Sequence, residues 1–322
     1  MKAKNFLKKH KILIVSVLIS AVYGLVARLG FGLFHKMNSI SYLVVIPIIM
    51  GAIPQLIKTS VKRKAYLDLL FIPWISVLTF FVITYAFKLE GFICLLILAL
   101  PFIVLGTLIA FIVRIFKINS VQRKKKTLIS FLLLPVFLSP MEDYIPSPSK
   151  DYTVRNEVEI LASKQVIWDH IIEVDQIDEK EYNAGAFQYL GIPRPIEASV
   201  SYKGVGATRI GKFSGGLKFV EIIETFKPLE EAEFSIQLDE KSLRKIAFDH
   251  HVLNGNYFHF NTAKYRIKSR EGKHFLSLES SYYLRSKLNF YGAFWGNWML
   301  EDFQGRLLAV IKNRCELKTN EL

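Results

Sequence analysis

The chain has 322 residues, of which 51% are hydrophobic, and a formal net charge of +14. Residues 1–140 carry +16 and residues 141–322 carry −2, so the basic charge belongs to the more apolar first part and is no sign of nucleic-acid binding. Cys94 and Cys315 each stand alone in their segments, which excludes a disulfide framework and a cysteine-based metal site.

The first part contains four apolar runs that approach the roughly 20 residues needed to cross a bilayer. Five lysines precede the first run, as in a signal peptide, but further runs follow, so we predict an uncleaved first helix. The loops alternate between many and few basic residues, which predicts a multipass protein of the plasma or inner membrane with a cytoplasmic N-terminus. The runs are Ile12–Ala27, Ile40–Ile57, Leu67–Phe87 and Phe92–Val113.

A fifth apolar segment, Leu128–Leu138, is short for a span and contains Pro135. Basic residues precede it and Glu142 and Asp143 follow it, a pattern that favours crossing. If the segment crosses, the rest of the chain lies outside the cytoplasm. If it lies in the interface, the rest of the chain is cytoplasmic. The sequence leaves this open and predicts four or five spans.

The predicted spans contain almost no charge, since only Arg28 and Asp68 lie near span ends. Transporters and channels usually place ionisable residues inside the bundle, so the pattern favours an anchor or a lipid-contacting bundle. Four prolines are open to two interpretations, the broken helices of a transporter or tolerated kinks, of which we favour the second. They are Pro47, Pro54, Pro73 and Pro101.

The chain after the anchor predicts a separate folded domain. Residues 1–140 form the predicted anchor, residues 141–151 a proline- and serine-containing linker, and residues 152–322 the domain. Ser163 is a good N-cap for a helix over Lys164–Val174. Glycine-containing turns separate short alternating runs, which is typical of an antiparallel meander. The predicted strands begin near Val154 and continue as Glu197–Tyr202, Ala207–Phe213, Leu217–Phe226, Ala232–Leu238, Asn256–Ser269 and His274–Leu284.

A long amphipathic helix over Tyr291–Leu317 ends the predicted domain. The predicted fold class is therefore α+β: a transmembrane helical region followed by a curved antiparallel sheet packed on a C-terminal helix. Such a sheet leaves an apolar space of ligand size against the helix.

The order of these elements resembles the START-like superfamily, also called SRPBCC or polyketide cyclase/dehydrase-like. The resemblance covers about residues 152–318 and none of the spans. It implies a helix-grip fold that binds lipids, sterols, polyketides or hormones, with no catalytic residue common to the family. The segments that carry it are Val158–Trp168, Gly206–Arg209, Phe219–Ile223 and the closing helix around Phe294 and Trp295.

Several side chains are candidates for the lining of this space, some as polar groups that orient a ligand and some as aromatic walls. Each of them has an alternative as an ordinary core or surface residue. They are Trp168, Arg209, Glu221, His251, Tyr265, Tyr283, Trp295, Trp298 and Met299.

A metal site built on His250, His251 and His259 is disfavoured, because adjacent residues of a strand point to opposite faces. No nucleotide-binding or hydrolase motif is present in the sequence, and we expect no cofactor.

Three functions follow from this sequence, and we favour the first. The domain binds a lipid or other hydrophobic small molecule beside the bilayer. Alternatively, it is an enzyme of the cyclase or hydrolase type, which needs an acid–base pair in the cavity. In the third interpretation it is an interaction or regulatory module at the membrane. The ligand and the oligomeric state are not predicted.

Overall fold

The computed structural model describes residues 2–33, 39–57, 67–119 and 132–320, with side chains for 11–33, 39–57, 67–116 and 132–317. Contacts between residues divide the chain into two compact units, Met1–Ser147 and Pro148–Leu322. The division falls inside the predicted linker.

The first unit is helical, and each of the four predicted apolar runs forms a helix. Three helical stretches are long and apolar enough to cross a membrane, which fits a membrane protein, and the stretch Ser41–Ile57 is apolar but shorter. Leu128–Leu138 lies partly outside the described residues, and its described end enters the last helix. The helices are α1 (Lys2–Leu33), α2 (Ile46–Ile57, after a π-helical turn at Ser41–Val45), α3 (Leu67–Ala86), α4 (Phe92–Asn119) and α5 (Leu134–Glu142).

All four prolines lie within the bounds of these helices, with Pro47 as the second residue of α2, and each helix continues past its proline. Pro54 lies within α2, Pro73 within α3 and Pro101 within α4. The interpretation as tolerated kinks therefore describes them better than that of broken transporter helices.

Apolar side chains cover the outer faces of these helices and also fill the centre of the bundle. Val26, Leu78, Val82 and Leu108 are exposed, whereas Phe80 and Phe102 stack in the centre with ring centroids 5.7 Å apart. An apolar exterior is costly in water and is satisfied by lipid, as expected of a bundle in a bilayer.

One end of the bundle is marked by a buried ion pair. The Arg28 guanidinium donates from Nε to Glu90 over 2.5 Å and from Nη2 to the Leu89 carbonyl over 2.8 Å. Both charged side chains are almost fully buried. The Phe31 and Tyr42 rings meet at the same end, 5.6 Å apart. The end of α1, the start of the Ser41 turn and the α3–α4 loop therefore lie together.

The last helix of this unit returns to the same end. The Glu142 carboxylate, at the end of α5, accepts from the Ser41 backbone N–H over 3.0 Å and from its hydroxyl over 2.7 Å. It also accepts from the Ile40 N–H. Glu142 thus caps the helical stretch that leads into α2, where a carboxylate is favoured by the helix dipole.

The second unit is built on a seven-stranded antiparallel sheet in the order β1-β7-β6-β5-β4-β3-β2. Short turns join three pairs of consecutive strands, and Gly215, Gly216 and Gly272 take the positive φ angles that two of these turns require. The strands are β1 (Ser149–Ile160), β2 (Pro195–Val200), β3 (Thr208–Phe213), β4 (Lys218–Lys227), β5 (Glu231–Leu238), β6 (Phe258–Arg270) and β7 (Lys273–Arg285).

Three helices complete this unit: α6 (Lys164–Ile172), α7 (Ala186–Tyr189) and the closing helix α8 (Asn289–Asn320). The predicted α+β class, with an antiparallel sheet and a long C-terminal helix, is confirmed. The closing helix begins two residues before and ends three residues after its predicted bounds. The sheet also starts earlier than predicted, because β1 pairs with β7 from Ser149 onward.

The closing helix lies on the inner face of the sheet. Gln304 donates to the Val154 carbonyl over 3.1 Å and to Ser280 over 2.9 Å. A Cβ built on Gly296 would lie 2.8 Å from the Tyr282 hydroxyl oxygen, so this glycine permits the helix to approach β7 closely. Further along α8, Leu308 and Ile311 enter the main core with α6 and the central strands.

Candidate functional site

Three of the predicted pocket residues come together on the inner face of the sheet. Arg209 on β3 and Glu221 on β4 are paired directly across the strands, and the guanidinium Nη1 donates to the Glu221 carboxylate. The Tyr265 hydroxyl lies beside the same guanidinium, which also lies 4.9 Å from the centroid of the Phe234 ring. All of these side chains are buried.

This cluster has a structural role at the end of a helix. Arg209 Nε donates to the Ile172 carbonyl over 3.0 Å and Nη2 to the Ile171 carbonyl over 3.4 Å. These are carbonyls of the last turn of α6, which have no partner within the helix. Arg209 therefore caps α6 while Glu221 balances its charge.

The cluster is poorly suited to acid–base catalysis. Burial raises the pKa of the Tyr265 hydroxyl to about 12, against the opposing effect of Arg209, so the phenol stays neutral near pH 7. The Glu221 carboxylate is held by Arg209 rather than presented to a substrate. A general base needs a carboxylate or imidazole within reach of a substrate proton.

Trp168 lies in the same packed half of the domain. Its ring meets the Phe226 ring edge to face, with centroids 5.3 Å apart, and it is almost fully buried in the core around α6. The alternative of core packing describes Trp168 better than a place on a cavity wall.

Two candidates lie away from this cluster. Tyr283 alternates with the inward Tyr282 and stacks on the exposed His259, with ring centroids 4.6 Å apart, on the outer face of the sheet. His251 lies in a π-helical turn, Asp249–Leu253, in the β5–β6 connection. The premise that His250 and His251 are strand neighbours was therefore wrong, because this connection is helical.

The described residues contain no group of three His, Cys, Asp or Glu side chains placed to hold a metal ion. The turn that carries His250 and His251 is instead organised by an ion pair. Arg244 donates to both oxygens of the buried Asp249, over 3.0 and 2.7 Å.

A continuous array of seven aromatic rings crosses the inner face and was not predicted. Successive ring centroids are 5.1 to 6.1 Å apart, and the array begins on α8, crosses β3, β4, β6 and β7, and ends on β1. We call it the aromatic array. Its members in order are Phe303, Phe213, Phe219, Phe260, Phe258, Tyr282 and Tyr152.

The aromatic array is anchored to the closing helix near both ends. Phe303 belongs to α8, and the Tyr282 hydroxyl donates to Asn297 of α8 over 2.7 Å. Between these anchors, Phe213, Phe258 and Phe260 are only half-buried. Trp168, Phe234 and Tyr265 around α6 are almost fully buried, whereas these three rings of the array keep part of their apolar surface uncovered.

The three candidates on α8 lie at its N-terminal half. Trp295 is buried and stacks on Trp298, with centroids 5.6 Å apart. Trp298 is half exposed and meets Phe187 edge to face at 5.1 Å. Met299 is half-buried. Trp298 is thus a surface residue with one covered face.

A weak signal for the array exists in the sequence. Phe258 and Phe260 alternate in one strand, and Phe213 and Phe219 flank the glycine turn between two others. Phenylalanines at alternate positions of a strand lie on the same face of the sheet, and such an apolar face is expected to point inward. The contact between Phe219 of β4 and Phe260 of β6 cannot be predicted from the sequence of either strand alone.

No protein-family model matches the chain, and no curated protein matches it. Solved structures similar to about half of the chain include a protein from Nitrosospira multiformis (13% identity, 52% of this chain and 99% of that chain, TM-score 0.33). Another is ginseng major latex-like protein 151 from Panax ginseng (8% identity, 51% and 97%, TM-score 0.30). A third is the Aha1 dimer from Colwellia psychrerythraea (13% identity, 51% and 96%, TM-score 0.29). The assignment of the fold rests on the strand order and the residue contacts of this chain and not on these similar structures.

Proposed function

We propose that this protein is a membrane-anchored START-like domain that binds a lipid or another small hydrophobic molecule without transforming it. The observation that carries the proposal is the aromatic array, whose half-buried rings face the closing helix. An apolar ligand lying on these rings removes their remaining surface from water, at about 25 cal/mol per Å². The bilayer that holds the anchor is a ready source of such molecules.

Removing one ring of the aromatic array is expected to weaken ligand binding. Phe260→Ala removes a half-buried ring whose neighbours are Phe219 and Phe258. We expect about a tenfold loss of affinity for a dansyl-labelled fatty acid. This loss corresponds to about 1.4 kcal/mol, which is part of the free energy gained by burying a phenylalanine side chain. The measurement is a fluorescence titration of the full-length protein in nanodiscs.

His259→Ala is the matched control, because His259 is the preceding residue of β6 and lies on the outer face. Both variants keep the anchor, so lipid bound around the helices contributes equally to each. Mass spectrometry of molecules that co-purify with the two variants identifies those lost only with Phe260→Ala. Equal affinity and equal co-purified lipid in the two variants would contradict the proposal.

We further propose that the START-like domain lies on the opposite side of the membrane from the N-terminus. Contacts within the first unit support this. Tyr23, near the middle of the apolar stretch Lys11–Leu33 of α1, donates to the Leu132 carbonyl over 3.0 Å, and Glu142 lies with Ser41 at the end where α1 finishes. From Leu132 to Glu142 the chain therefore runs from the middle of the bundle to the end opposite the N-terminus. The positive-inside rule assigns the N-terminus to the cytoplasm.

Labelling from outside the cell tests this topology. We expect a membrane-impermeant maleimide to label Tyr144→Cys and Lys88→Cys in intact cells, because both exposed positions lie near the Glu142 end. Lys11→Cys, at the start of the apolar stretch of α1, is the control and is expected to react only after the membrane is permeabilised. Labelling of Lys11→Cys and protection of Tyr144→Cys would reverse the proposed orientation.

A further inference from the structure

The first twelve residues of α8, Asn289–Leu300, contain no charged side chain and five aromatic ones. Three of the aromatic residues recur every four positions and are exposed, which places them on one face of the helix. Their exposed fractions are 75% for Phe290, 54% for Phe294 and 50% for Trp298. We call these three residues the aromatic stripe. A stripe of this kind on a water-facing helix marks an interaction surface.

The aromatic stripe begins where the chain enters the domain from the anchor. Asn289 donates to the Pro148 carbonyl over 2.8 Å, and the Ser286 N–H donates to the same oxygen over 3.3 Å. Pro148 is six residues after Glu142, the last residue of α5. Six residues span at most about 20 Å, so the chain itself limits how far the start of α8 lies from the end of the bundle.

The charges around this entry point suit an anionic surface. Lys150 and Arg285 are on the paired ends of β1 and β7, and Lys287 precedes α8. Lys150 and Arg285 are exposed. Basic residues next to a membrane anchor are attracted to anionic lipid headgroups, at about 1 kcal/mol each.

We propose that the aromatic stripe inserts into the headgroup region of the bilayer that holds the anchor. Tryptophan and phenylalanine supply apolar area at that depth, and tryptophan prefers the interface because its ring is apolar with one polar N–H. From Phe290 to Trp298 the helix rises about 12 Å, enough to present all three rings to one surface. This contact does not depend on whether the domain holds a ligand.

The test uses the full-length protein in nanodiscs of phosphatidylcholine with and without phosphatidylglycerol. An NBD fluorophore is attached to Phe294→Cys, and its quenching by headgroup-nitroxide lipid is measured. The unsubstituted chain, whose Cys315 is buried and Cys94 half-buried, gives the background labelling. We expect strong quenching and a blue-shifted emission at position 294, and stronger quenching with phosphatidylglycerol present.

Asn313→Cys is the matched control, because Asn313 is an exposed position of the same helix about 28 Å further along. Phe290→Asp combined with Trp298→Asp is expected to reduce quenching at position 294 to the level at position 313. Both substituted residues are exposed, so we expect this variant to keep the melting temperature of the unsubstituted protein. Measuring that temperature checks that the variant is folded. Equal quenching at positions 294 and 313 overturns the proposal. So does an emission shift at 294 that follows protein concentration instead of nitroxide lipid, which would identify a second copy as the occupant.

Discussion

Arg209→Met is expected to lower the melting temperature of the C-terminal domain by roughly 10 °C. The substitution leaves the Glu221 carboxylate buried without its counter-charge, which costs about 3–5 kcal/mol, and for a domain of this size each kcal/mol shifts the melting temperature by roughly 2–4 °C. It also removes the donors that cap the last carbonyls of α6. Thermal unfolding of the full-length protein in detergent measures the effect.

A neighbouring pair on the same strand supplies the control. Lys212 on β3 pairs with Glu197 on β2, but both side chains are partly exposed. Lys212→Met is therefore expected to change stability by less than about 1 kcal/mol. Replacing Arg209 by Met and Glu221 by Leu together should recover part of the loss, because no buried charge remains. An unchanged melting temperature in Arg209→Met would show that the pair is not a stabilising element.

Gly51→Ala is expected to disrupt the packing of the N-terminal helical bundle. A Cβ at this position in α2 would lie 2.1 Å from the Gly106 carbonyl oxygen and 2.6 Å from its Cα. Ordinary contacts are about 3.5 Å, and the opposing atoms are backbone, so α2 and α4 have to move apart. We expect a loss of at least about 1–3 kcal/mol, seen as early aggregation in fluorescence-detected size-exclusion chromatography after heating.

Gly106, which faces Gly51 across the two helices, gives a control because a Cβ on Gly106 has more room than a Cβ on Gly51. A Cβ on Gly106 would meet its nearest neighbour, the Pro47 carbonyl oxygen, at 3.5 Å, which is an ordinary contact. Gly30 in α1 has nothing within 4 Å of the built Cβ. Gly106→Ala and Gly30→Ala are therefore expected to leave the thermal stability of the anchor nearly unchanged. Equal damage from Gly51→Ala and Gly106→Ala would mean that the two helices approach differently from this description.

Most of the domain's fold was predictable because its signals are local. Gly215, Gly216 and Gly272 end strands at positive φ angles, so the turns can be read directly. The start of β1 was missed because residues 149–153 follow two prolines and are largely polar, and they are strand only through pairing with β7. Pairing between segments more than a hundred residues apart leaves no local trace.

The candidate site was predicted less well, for a related reason. Arg209, Glu221 and Tyr265 stand out as polar residues in apolar strands, and the structure brings these three candidates together. Their role as the cap of α6 depends on where a helix ends in space. The aromatic array was missed because a single phenylalanine on a strand looks the same in a packed core as on an uncovered surface. Only the contacts across strands distinguish the two.

The cap that Glu142 supplies to Ile40 and Ser41 links the order of synthesis to the assembly of the anchor. The capping residue follows Ser41 by 101 residues, so at about 5–20 residues per second it is made roughly 5 to 20 seconds after the helix it caps. During that interval the N–H groups at the start of this helix lack their carboxylate partner, which is costly away from water. The helical bundle is expected to reach its final arrangement only as the ribosome begins the C-terminal domain, so truncated chains that end before Glu142 are expected targets of quality control.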